Sequence, residues 1–244
     1  SAASDVYKRQ ELNATGMTII PGLVDAHTHL VFASEGFRPE ELEMKISGLT
    51  YMEILARGGG IMRTVRATRA ASERKLACEC LERLDVMLLH GTTTAEAKSG
   101  YGLTTEDELK CLRALKIADE RHPVDLAITF LGAHAIPPEY ARDPDAYVDL
   151  VVEEMVPAVA ERGLASFCDV FCEEGVFSPE QSKKVLEAGL EHGLKPKIHA
   201  DEFTDTGGAK LAAEFKAISA DHLLCASDEG LKAMAEAGVV AVLL

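Results

Sequence analysis

The sequence predicts an α/β protein: an incomplete (β/α)8 barrel of the TIM type, with about seven of eight strands present and the eighth missing. Three observations carry that reading. Apolar β-like runs alternate with amphipathic helical stretches, the pattern of βαβ units around a parallel sheet. Reactive polar residues follow nearly every run: His27 and His29, Glu96 to Tyr101, His134, Glu173 and Glu174, His199 and Glu202, and His222. An open doubly wound sheet collects its ligand site at one switch point, whereas a barrel draws groups from many strand ends on one face. Finally, 244 residues, 47% apolar and 27% charged, suffice for one large core.

The β-like runs cover 17–25, 92–97, 124–132, 165–172, 195–200, 217–224 and 239–244. The helices between them carry start and stop signals. A helix over 73–90 stops at Gly91. "TEDE" at 105–108 reads as a capping box of Thr105 with Glu108, ahead of Leu109, Leu112 and Leu115. A helix over 144–162 ends at Gly163. "SPEQ" at 178–181 places Ser178 at the N-cap, Pro179 first in the helix and Gln181 closing the box; that helix stops at Gly193. Ser227 caps a last helix that ends at Gly238. "GGG" at 58–60 lacks the Lys-Ser/Thr of a phosphate loop and reads as a helix stop and turn. Arg63, Arg66 and Arg69, at helical spacing, mark a solvated face. Polar, aperiodic "SAASDVYKRQ" at one end and the mid-strand stop of "GVVAVLL" at the other suggest a truncated barrel over 16–244, preceded at 1–15 by a non-native segment or a residual segment of a small β-sandwich domain.

Composition excludes several function classes. Forty acidic residues against 25 basic ones, a net charge of −15, argue against nucleic acid or an anionic membrane surface as partner. No run of 18 apolar residues suggests a membrane span, and the N-terminus lacks a signal-peptide apolar core. The six cysteines sit inside helix-like or strand-like segments and read as reduced thiols of a cytoplasmic protein. Cys78 and Cys80 would project about 200° apart on a helix, which excludes a shared metal.

The chemistry begins in "GLVDAHTHL", residues 22–30, where an apolar run ends in two histidines. Side chains at i and i+2 of a strand share a face, so His27 and His29 can both reach one ion. "HADE" at 199–202 adds His199 at another strand end with Glu202 three residues on, and "SADHLL" at 219–224 adds His222. Activating water on a metal needs neutral nitrogen or carboxylate ligands, an open position and a nearby acid/base group. His27, His29 and His199 would supply three ligands from opposite sides of the barrel mouth, leaving Glu202 or His222 to move protons. A lone strand-end histidine often only donates to a backbone carbonyl; joint placement at successive strand tops favours ligation.

Six motifs over about residues 16–244 carry a resemblance: "PGLVDAHTHLVF", "YMEILARGGGI", "GTTTAEAKSGYGL", "LGAHAIPPEY", "KIHADEF" and "SADHLL". Together they resemble the imidazolonepropionase family of the amidohydrolase superfamily. The resemblance implies an amidohydrolase-type barrel with a small β-sandwich built from both chain ends, of which only "ELNATGM" is represented. It implies one metal, zinc or iron, on His27, His29, His199 and an aspartate that would lie past an eighth strand. The implied reaction is hydrolysis of the cyclic amide of 4-imidazolone-5-propanoate to N-formimidoyl-L-glutamate, a step of histidine degradation. Glu202 would orient the water or the substrate nitrogen, and His222 would hand a proton to the leaving nitrogen. Arg38 would read the propionate through its bidentate fork. "ASEGF" is two residues longer than the family spacing, while the distance from Arg38 to Tyr51 is kept. Tyr101 and His134 match substrate-contacting positions. The expected partner is a small molecule, with a homodimer left open for the full-length protein. Two other readings compete: a ring deaminase with the same metal apparatus, and an inactive metal-binding fragment.

Overall fold

The computed structural model describes residues 13–34, 36, 39–49, 53–54 and 59–244. Arg38, Tyr51 and Gly58 lie outside the described residues. The strands are β1 (Leu23–Asp25), β2 (Thr92–Lys98), β3 (Asp125–Ala133), β4 (Phe167–Cys172), β5 (Lys195–Pro196), β6 (Ile198–Ala200), β7 (Ser219–His222) and β8 (Val240–Val242). They form a sheet in the order β1-β2-β3-β4-β6-β7-β8, with β5 also on β4. Every pairing is parallel. β5 and β6 are two pieces of one run split at Lys197, so the segments amount to seven rungs of an incomplete (β/α)8 barrel. β1 and β8 lie at the two ends of that order.

The helices are α1 (Pro39–Ile46), α2 (Ile61–Ala70), α3 (Glu73–Leu89), α4 (Thr105–Arg121), α5 (Pro144–Leu150), α6 (Val156–Glu161), α7 (Pro179–Glu191), α8 (Gly208–Glu214) and α9 (Asp228–Ala237). Parallel strands are covered on both faces, which explains why "TFLGA" of β3 and "CDVFC" of β4 are entirely buried. Leu76 and Leu84 of α3 and Leu112 and Leu115 of α4 pack against the strands with 0% exposure. No helix among the described residues is long and apolar enough to cross a membrane.

Several local expectations shift. Of the run 17–25 only residues 23–25 form a strand, because among the described residues β1 has a partner on one side alone. The stretch 144–162 is three helical pieces: α5, a wide π turn at Val151–Met155, and α6. The N-cap of α4 is Thr104, not Thr105: its hydroxyl accepts from Asp107 N at 3.2 Å. Glu108 cannot close a box on Thr105 because its carboxylate accepts the amides of Gly100, Gly102 and Leu103. The box at Ser178 and Gln181 is present as read. Arg69 is no simple surface cation: its guanidinium donates to the carbonyls of Gly102 and Leu103 and pairs with Glu139 at 2.7 Å. α4 and the Arg69 side chain thus fix, from both flanks, the loop that carries Tyr101.

Candidate metal centre

His27 and His29 leave β1 just past its last strand residue, and the Thr28 carbonyl accepts from Lys98 N at 3.0 Å, which ties the segment to β2. Asp25 Oδ1 accepts the His27 amide at 3.2 Å. His199 lies within β6, and Asp201 after it turns the chain at φ 51°. The Asp201 carboxylate accepts the amides of Thr206, Gly208 and Ala209, so it caps α8 and holds the "HADE" turn. His222 ends β7 at φ 76°, followed by Leu223 at φ 59°. Two successive side-chain-bearing residues in the left-handed region carry strain of order ~1–3 kcal/mol each, retained where packing dictates it.

These segments converge. The His27 ring centroid lies 5.1 Å from His29, 4.8 Å from His199 and 5.2 Å from His222. His29 Nε2 and His199 Nε2 are 3.4 Å apart. Two nitrogens on one tetrahedral ion at 2.0–2.1 Å would sit about 3.4 Å apart. One donor atom each from His27, His199 and His222 also lies within 4.8 Å of the others, a group able to hold a metal ion. His29, for which sequence reasoning expects ligation, meets His199 but stands outside that mutual set; His222, expected to move protons, stands inside it.

Carboxylates beneath the rings orient them. Asp221 Oδ2 accepts from His27 Nδ1 at 2.6 Å, and Asp169 lies 3.1 Å from His199 Nδ1. With Nδ1 engaged, Nε2 of each ring is the free donor atom. Nδ1 of His29 is buried with no hydrogen-bond partner among the described residues. Burial, then His134 and His199, holds the His29 imidazole well below its usual range. Burial and the neighbouring His199 and His27 hold His222 at about 4. Burial, followed by His199, brings His134 to about 3. These rings are therefore neutral near pH 7, the state a metal requires.

A cavity of about 390 Å³ opens on the rings, lined by His29, His134, His199, His222, Glu202 and Lys45 among others. His134 stacks on His29 at 4.7 Å and shares its Nδ1 proton with the Gly100 carbonyl. Tyr101 packs edge-on against His29 and His134, at 5.7 and 5.2 Å. Glu202 Oε2 is 3.7 Å from His222 Nε2, too long for a hydrogen bond. Burial, then Glu173, pushes the Glu202 carboxyl up. A larger hollow of about 700 Å³ beside Glu173 and Thr204 contains none of these imidazoles, so the smaller one is the candidate site.

Sequence reasoning missed Lys98, Asp169, Asp221, Lys197 and Lys45. The first four form buried charge beneath the rings: Lys98 Nζ lies 2.7 Å from Glu96 and Asp169 and 3.2 Å from Asp221, and Lys197 Nζ lies 2.9 Å from Glu96. Three carboxylates against two ammonium groups leave one negative charge, which suits a cation among the imidazoles. The available signal was Glu96 and Lys98 at i and i+2 of an otherwise small and apolar strand end, on one face.

No family model matches the chain. It is similar to the imidazolonepropionases of Brevibacillus brevis (59% identical over 98% of this chain and 56% of that protein), Geobacillus kaustophilus (57% over 99% and 57%) and Halobacterium salinarum (57% over 96% and 55%). The chain thus spans little more than half the length of these curated relatives. Among solved structures it resembles a 5-methylcytosine deaminase from Klebsiella pneumoniae, with TM-score 0.67 and 16% identity over 96% of this chain and 58% of that one. An amidohydrolase from Burkholderia ambifaria with bound zinc gives TM-score 0.58 at 16% identity, over 94% of this chain and 69% of that one. At such identity the structural likeness establishes the barrel alone. Sequence identity of 56–60% across nearly all of its length is a closer tie, and over the residues it spans the chain is similar to imidazolonepropionases.

Proposed function

We propose that this chain carries the metal site of an imidazolonepropionase, and that the whole protein hydrolyses the cyclic amide of 4-imidazolone-5-propanoate to N-formimidoyl-L-glutamate in the cytoplasm. The observation that carries the reading is the approach of His199 Nε2 to His29 Nε2 at 3.4 Å beside His27, from the first and fifth rungs. His27, His29 and His199 would hold one zinc or iron ion, with His222 as a further candidate ligand. Imidazole suits both metals. When bound, such an ion lowers the pKa of water to about 7 and polarises a carbonyl oxygen.

The chain's own residues supply the rest. Asp221 and Asp169 fix the His27 and His199 rings by accepting their Nδ1 protons. Glu202, with its raised pKa, is suited to take a proton from the attacking water and to orient the substrate nitrogen. His222, where it is left free of the ion, would hand a proton to the leaving nitrogen; its Nε2 stands 3.7 Å from Glu202 without a hydrogen bond between them. Tyr101 and His134 would wall the imidazolone ring, and Arg38 would read its propionate, with Lys45 a second cation at the cavity. In this reading 16–244 is the barrel part and 1–15 a separate segment.

The full-length protein should open imidazolone propionate and leave cytosine and guanine untouched. Prolonged chelation should abolish turnover, and zinc or iron should restore it. Arg38→Met should raise KM at least about tenfold with a smaller effect on kcat, as expected for a lost bidentate carboxylate contact. Turnover that survives complete metal removal, or preference for cytosine, would overturn the reading.

A further inference from the structure

Lys98 lies at the end of β2, with its side chain fully buried and no ligand atom of its own to offer. Its ammonium is nevertheless the hub of the layer under the imidazoles. Nζ donates to Asp169 Oδ2 at 2.7 Å and approaches Asp221 Oδ2 at 3.2 Å. That same Asp221 oxygen accepts from His27 Nδ1, and Asp169 accepts from His199 Nδ1. The carboxylates come from different strands, β4 and β7, and the rings from β1 and β6. One cation therefore joins two carboxylate–imidazole pairs whose four members come from separate segments of the chain, with His199 and Asp221 register partners across β6 and β7.

We propose that Lys98 is the positioning residue of the metal centre: it clamps Asp169 and Asp221 together and so sets the direction of His27 Nε2 and His199 Nε2 toward a common ion. This rests on the metal-site reading above. Without the ammonium, two buried carboxylates would face each other without the ion pair they share, and either could relieve the repulsion by rotating away or taking up a proton. Either response weakens the hydrogen bond from the ring's Nδ1–H and frees the ring above it. Burial alone would push the Lys98 amine down, yet the carboxylates around it outweigh that and raise it, so the clamp stays charged. Lys197, also buried, has its ion pair with Glu96 and acts on Asp169 and Asp221 only at longer range, which makes it the natural comparison.

The test compares Lys98→Met with Lys197→Met in the full-length protein. Zinc dissociation constants come from competition with a chromophoric chelator, and ring tautomers from 15N shifts of the metal-free protein. Lys98→Met should weaken zinc binding roughly 10–100-fold, the usual effect of losing an outer-shell partner, and alter the His27 and His199 tautomers. Lys197→Met should change affinity less than about threefold with both tautomers kept. Should Lys98→Met not fold, Lys98→Met with Glu96→Gln keeps the cluster's net charge and still removes the clamp, so zinc binding should remain weak. Unchanged zinc affinity in a folded Lys98 variant, equal losses in the two lysine variants, or failure of both Lys98 variants to fold would overturn the assignment. Absence of zinc binding by the unaltered protein would instead sink the functional reading on which it rests.

Discussion

At Gly100 the backbone has φ 112°, and a methyl group built there would lie 2.9 Å from both His134 Nδ1 and the Leu131 carbonyl oxygen. The Gly100 carbonyl in turn accepts the His134 Nδ1 proton, so the glycine lets loop and imidazole close on each other. Gly100→Ala should cost about 2 kcal/mol or more, from strained φ and the forced shift of His134. Urea unfolding would register this as a lower midpoint at constant slope, and an unchanged midpoint would contradict it. The difference between such positions and the histidines explains what the sequence made legible. His27, His29, His199 and His222 announce themselves because imidazoles at the tops of apolar runs are conspicuous. Asp169 and Asp221 do not, since one aspartate in "FCDVFC" or "SADH" carries no periodic signal until the sheet sets it beneath a ring. His222 as a partner in a ligand group was equally hidden, because its aim depends on the left-handed backbone at 222 and 223.

Among the elements, α4 shows why helix starts are read less securely than helix bodies. "LTTEDE" offers two frames, Thr104 with Asp107 and Thr105 with Glu108, and both have an acidic residue three positions on. Tertiary demand decides between them: the Tyr101 loop needs an acceptor for three amides, and Glu108 meets it. At α7 there was no such choice, since Pro179 fits only the first helical turn and fixes Ser178 as the cap. Thr104→Ala should therefore cost about 1 kcal/mol as a lost N-cap. Thr105→Ala, whose hydroxyl has only an exposed 3.3 Å contact to Glu154, should stay within about 0.5 kcal/mol. Thermal or urea unfolding of the two variants checks the order, and a larger loss at Thr105 would restore the rejected frame. The barrel pattern itself was legible because buried parallel strands read as apolar runs whatever their exact ends. The short reach of β1 was not, since the pattern of 17–25 says what could pair and not whether a partner exists.

For the molecule as a whole, the two ends of the sheet decide solution behaviour. Among the described residues β1 and β8 each have one neighbour, and apolar side chains crowd there: Ile19 is 82% exposed, Val24 68% and Val240 59%. Between them lies an apolar hollow of about 240 Å³ lined by Val24, Ile218, Val240 and Val242. An edge of this kind offers unpaired amides and carbonyls beside an apolar surface, the combination that templates association with another chain. The net charge of −15 opposes contact at long range, but at about 0.15 M salt its reach is only about 8 Å, so it slows approach without protecting the edges. The isolated 244-residue polypeptide should therefore self-associate at concentrations on the order of 10 μM, seen as a concentration-dependent shift in sedimentation velocity. Adding salt should strengthen the association, since screening removes the repulsion and leaves the apolar term. Val24→Lys together with Val240→Lys should return the polypeptide toward monomer, because a charge on each edge strand must be desolvated before another strand can pair with it. A monodisperse monomer for the unaltered polypeptide, or association indifferent to the two lysines, would show that the edges do not govern its behaviour.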